Sequence, residues 1–66
     1  MDIKKSFKVA CAKKGMTTKD VAAIYGVTPR AINITINRKK TNIYTIQRLA
    51  DAFGMKASEF IALGED

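Results

Sequence analysis

Histidine and tryptophan are missing from this 66-residue chain, and cysteine and proline occur once each. Without histidine there is no imidazole to act as a base or to ligate a metal. The lone Cys11 excludes an internal disulfide and leaves no cysteine cluster for a structural metal. No apolar run approaches the roughly 20 residues of a membrane span. The opening stretch, MDIKKSFKVACAKKG, lacks the long apolar centre of a signal peptide. The expectation is one compact cytoplasmic domain over residues 1–66, with no membrane contact. A chain this short buries only about 60 % of its unfolded surface, so its core must be small.

Acidic residues are also scarce. The six carboxylates, Asp2, Asp20, Asp51, Glu59, Glu65 and Asp66, include no pair spaced for acid–base work apart from the adjacent last two. A serine or cysteine nucleophile would lack a histidine, and there is no glycine-rich phosphate loop. An enzyme is therefore the weakest reading, and no metal, cofactor or small-molecule substrate is expected.

What is present is positive charge, unevenly placed. Residues 1–50 hold eleven Lys or Arg against two acids, a balance of +9, whereas residues 51–66 hold one Lys and four acids, a balance of −3. Between Asp20 and Asp51 there is no acid, yet Arg30, Arg38, Lys39, Lys40 and Arg48 fall there. A field of one sign over half a small domain suits a polyanionic partner. The bland alternative is a solvated surface.

Apolar spacing predicts five helices. Ile3, Phe7, Ala10 and Cys11 form a helical stripe that Gly15 stops, with Lys13 and Lys14 at the negative end of the dipole. Thr17 with Asp20 has capping-box spacing for a helix from Thr18 to Tyr25 that buries Val21, Ala22 and Tyr25. Gly26 makes the turn. Thr28 caps a third helix beginning at Pro29, where a missing N–H costs nothing. Asn42 caps a fourth, with Ile43, Ile46, Leu49, Ala50 and Phe53 as its buried stripe, ended by Gly54. A short fifth, about Ala57 to Leu63, carries Phe60 and Ile61 and stops at Gly64.

Two short helices around a tight glycine turn are the geometry that sets a second helix into the major groove of DNA. Residues 17–37 supply the parts. Ala22 is small enough for close approach, Gly26 turns the chain, Val27 plugs the gap beneath the turn, and Val21 with Ile32 closes a miniature core.

With those residues in place, the chain resembles the Cro and phage-repressor (Xre-type) helix-turn-helix family. The matching stretches are Gly15-Met16-Thr17, Val21-Ala22, Gly26-Val27-Thr28 and Leu49-Ala50-Asp51-Ala52-Phe53-Gly54-Met55. The resemblance implies an all-α, five-helix, lambda-repressor-like domain. It also implies that Pro29–Asn37 is the recognition helix of a small transcriptional regulator, most often a repressor, of phage or prophage type. Two departures stand out. Many members pair an Arg late in helix 1 with a Glu at the end of the recognition helix, where this chain has Cys11 and Ile36. An apolar contact is expected instead. The next loop usually has a Gly where this chain has Arg38-Lys39-Lys40, so Asn37 is a candidate terminator.

Side-chain chemistry then assigns expected roles. Arg30 suits guanine O6 and N7, and Asn33 suits adenine N6 and N7. Thr28 and Ile34 suit thymine methyls, with Pro29 beside them at the helix start. Asn33 stays open between reader and bystander, and Ile34 between groove and core. Thr18, Lys19, Asn37, Arg38, Lys39, Lys40, Asn42 and Tyr44 suit phosphates, which fix register without reading sequence. Met55, Phe60, Ile61 and Leu63 are the candidate surface of a homodimer. The alternative function is a protein-interaction module, antitoxin-like or adaptor, on the same fold.

Overall fold

The computed structural model describes residues 2–38 and 41–65, and among these there are five helices and no strand. They are α1 (Ile3–Lys14), α2 (Thr18–Tyr25), α3 (Pro29–Ile36), α4 (Ile43–Ala52) and α5 (Ala57–Leu63). The expected all-α, five-helix architecture is therefore the observed one. Four of the five helix starts are set by a local side-chain cap. Asp2 accepts at Oδ1 from the Lys5 N–H at 3.0 Å and so caps α1. Thr17 and Asp20 form the full capping box: the Asp20 N–H donates to Thr17 Oγ1 at 3.2 Å, and the Thr17 N–H donates to Asp20 Oδ2 at 2.9 Å. Thr28 caps α3 through the Ala31 N–H at 3.2 Å, and Asn42 caps α4 through the Thr45 N–H at 2.9 Å. Asn37 does terminate α3.

One core joins all five helices. Val21 and Ala22 of α2, Ile32 and Ile36 of α3, and Ile46, Leu49 and Ala50 of α4 form its upper part. Ile3, Phe7 and Ala10 of α1, with Phe53 and Phe60, form its base. There Phe53 is the hub: the Phe7 ring meets it edge-on at 5.7 Å and the Phe60 ring stacks on it at 6.0 Å. Such aromatic pairs contribute roughly 0.5–1.5 kcal/mol each beyond their buried area.

Helix α5 has no side-chain cap, since Lys56 provides none. It is held by packing instead. Phe60 is fully buried, and Ser6, itself buried, donates its hydroxyl to the Ile61 carbonyl at 3.5 Å. Just beyond α5, Gly64 lies directly on the first turn of α1. A Cβ there would collide with the Ser6 hydroxyl and the Asp2 carbonyl. Glycine is needed for proximity at this position, because its φ of −89° is ordinary.

Three expectations are corrected here. Ile43 is 57 % exposed, because it opens α4 and the buried stripe begins one turn later, at Ile46. Val27 does not plug the turn and is 40 % exposed. The gap is closed by backbone, with the Val27 N–H donating to the Ala22 carbonyl at 3.0 Å. Phe60 is core and presents no surface to a partner chain. Met55, Ile61 and Leu63 are half-buried and pack against the same core.

The contact at Gly64 yields a prediction. Gly64→Ala will lower stability by about 1–3 kcal/mol, the usual cost of overfilling a packed contact, seen as a lower urea midpoint. An unchanged midpoint would contradict the close approach of α5 to α1.

Candidate nucleic-acid interface

The site is built on the crossing of α2 and α3. Gly26 adopts φ +84°, the left-handed region that only glycine enters cheaply. Its N–H and that of Val27 both donate to the Ala22 carbonyl, at 2.9 and 3.0 Å. This double closure ends α2 and turns the chain into α3 within three residues. Val21, Ala22 and Ile32 are all buried at the crossing, so the direction of α3 is fixed from behind.

Helix α3 has two faces. Ile32 and Ile36, four residues apart, point into the core. Arg30, Asn33, Ile34 and Asn37 fall on the opposite side, and all are exposed. Ile34, left open between groove and core, is 53 % exposed and belongs to the outer face. Pro29 is exposed beside Arg30 at the first position of the helix. Thr28 is exposed, but its hydroxyl is occupied as a cap, which leaves its methyl as the group free to touch a base. Asn37 turns its amide nitrogen back on the Asn33 carbonyl at 2.7 Å, so half of its donor capacity serves the helix end.

The described ones among the expected phosphate-contacting residues lie at the start of α2, after α3 and at the start of α4. Thr18 is half-buried and Lys19 exposed in the first turn of α2, where backbone N–H groups have no intrahelical partner and favour an anion. The Asp20 carboxylate is next to them but is taken up by the Thr17 N–H. Arg38 is exposed after α3. Asn42 is exposed, with its side-chain oxygen occupied by Thr45, and Tyr44 is 75 % exposed on α4. Lys39 and Lys40 lie outside the described residues.

Cys11 and Ile36, at the positions of the missing ion pair, line one groove between α1 and α3 of about 350 Å³. Burial, and then the neighbouring Asp20 carboxylate, raise the Cys11 thiol above its ordinary range. A neutral thiol there acts as a small apolar side chain.

One residue of consequence was missed from sequence. Arg48 of α4 reaches back to the end of α2, donating from its guanidinium to the Tyr25 carbonyl at 3.2 Å. Its Cζ lies 4.2 Å from the Tyr25 ring centroid. Tyr25, expected in the core, is only half-buried: it packs at the edge of the core and its ring is covered by the Arg48 cation. The contact neutralises the negative end of α2 and ties α4 to the turn. No local pattern signals it, because the partners are 23 residues apart.

Two adjacent short helices, the second braced by a core and bare on its outer face, define a helix-turn-helix domain. The chain belongs to the Cro/C1-type HTH DNA-binding domain family, whose family model matches residues 7–66. Comparison with curated proteins and with solved structures gives no match. No helix among the described residues is long and apolar enough to cross a membrane.

Removing the brace tests it. Arg48→Ala will destabilise the fold by about 1 kcal/mol through loss of the exposed cation–π contact and its hydrogen bond. Arg48→Lys will recover only part of this, since an ammonium cannot both stack and donate in that geometry. Equal thermal midpoints for all three proteins would contradict the bracing role.

Proposed function

We propose that this domain is a sequence-specific regulator that binds double-stranded DNA with α3 in the major groove, acting as a repressor. The observation that carries the reading is the outer row of α3. Four exposed side chains, Arg30, Asn33, Ile34 and Asn37, stand on a helix fixed from behind by Ile32 and Ile36. Arg30 offers a fork for guanine, Asn33 a matched donor and acceptor for adenine, and Ile34 an apolar surface for a thymine methyl. Thr28 adds a second methyl contact, with Pro29 packed beside it. Thr18, Lys19, Arg38, Lys39, Lys40, Asn42 and Tyr44, together with Asn37, hold the flanking phosphates.

Repression requires only occupancy, since a protein seated in the groove excludes others from the same base pairs. Such a regulator works in the cytoplasm of a bacterial or phage-infected cell. It acts as a homodimer through Met55, Ile61 and Leu63. Joined in this way, two copies would present their α3 helices one DNA turn, about 34 Å, apart.

Selection from a random duplex library tests this reading, carried out at about 150 mM salt because affinity falls steeply with ionic strength. The expected product is an inverted repeat. Arg30→Ala will lose about 1–3 kcal/mol of discrimination at a single base pair of each half-site. Uniform weakening on all sequences would contradict base reading by Arg30, and no enrichment at all would contradict sequence-specific binding.

A further inference from the structure

We propose that the groove between α1 and the helix-turn-helix seats a DNA backbone phosphate, gripped by Lys4 and Lys8. The inference rests on the DNA-binding reading above and adds α1 to the contacting surface. Lys4 and Lys8 stand one turn apart on the same face of α1, both exposed. They line the groove together with Thr17 and Thr18 at the start of α2 and Asn33 and Asn37 of α3. Every one of these side chains carries a hydrogen-bond donor suited to a phosphate oxygen. No acidic residue lines the groove among the described residues.

Its position is as telling as its chemistry. Asn33 and Asn37 belong both to the groove and to the outer face of α3, so the groove opens along the edge of the recognition surface. Lys4 and Asn37 also line a neighbouring depression with Arg38 and Asp2, which brings a third cation to the same edge, the Asp2 carboxylate being engaged as the cap of α1. A DNA strand bordering the major groove occupied by α3 passes along this edge. Phe7 and Ile36, both buried, floor the groove, so the donors sit on its rim at the height of a passing backbone. The other two lysines of α1, Lys13 and Lys14, line a separate depression on the α5 side with Glu59. They provide a charge-matched control on the same helix.

The test measures duplex affinity against salt concentration for the full chain and three double variants. Lys4→Gln with Lys8→Gln is expected to weaken binding roughly tenfold at about 0.1 M salt, and to flatten the log–log salt slope by about 1, the share of one phosphate. Lys13→Gln with Lys14→Gln is expected to leave the slope unchanged. Lys4→Arg with Lys8→Arg keeps both cations and is expected to keep the slope. If both glutamine pairs flatten the slope equally, only the general field of the protein is at work and the phosphate seat is overturned. Parent-like binding by the Lys4→Gln, Lys8→Gln variant overturns it as well. Failure of the parent chain to bind any duplex overturns the DNA-binding reading itself, and the seat with it. Unfolding midpoints equal to that of the parent establish that the variants are folded.

Discussion

The approach of α2 to α3 over Ala22 sets the position of every side chain at the interface. Neither helix exceeds eight residues, and isolated helices that short are marginal in water. What holds α3 in place is the burial of Ile32 and Ile36 in one core with Val21 and Ala22 of α2 and Leu49 and Ala50 of α4. A side chain larger than alanine at position 22 would push α3 outward and move the whole recognition row. The Ala22 carbonyl also accepts both N–H groups of the turn, so one small residue governs packing and chain reversal together. Arg48 then fixes the outer end of α2 from α4. The lower half of the molecule, with its three phenylalanines and the α1–α5 contact, supports that crossing.

A chain of this size has little core to spend on specificity, and its stability is spread over many local devices. Four of the five helices begin with a side-chain cap, each worth about 0.5–2 kcal/mol. The uncapped α5 relies on Phe60 and on the tight seating of Gly64. Caps set where the helices begin, and apolar stripes set which faces turn inward. The polar outer face of α3 is left with almost no structural duty. Apart from the turned-back amide of Asn37, its side chains are free to be chosen for a partner.

Helix limits were readable from sequence because their causes are local. Thr17 with Asp20, Thr28 before Pro29, and Asn42 before an apolar stripe each operate within four residues. The exposed outer row of α3 was readable for a similar reason, since Ile32 and Ile36 define a buried face and leave Arg30, Asn33 and Asn37 opposite. Where the reading failed, the cause was long-range. Val27 and Ile43 are apolar residues at helix edges, and only the assembled core decides whether such positions are covered. Phe60 looked like spare apolar surface because its partners, Phe53 and the start of α1, are brought to it by the fold. Arg48 and the Lys4–Lys8 groove depend on pairs of helices meeting, and no spacing rule within one helix reveals them.

The central claim is that this domain meets DNA with the outer face of α3 and the start of α2. The most direct measurement is an amide chemical-shift map of the labelled protein titrated with duplex DNA. The account predicts that the perturbed amides concentrate at residues 17–19 and 28–38, with Ala57–Leu63 little changed. Perturbations centred on α5, with α3 unmoved, would contradict it.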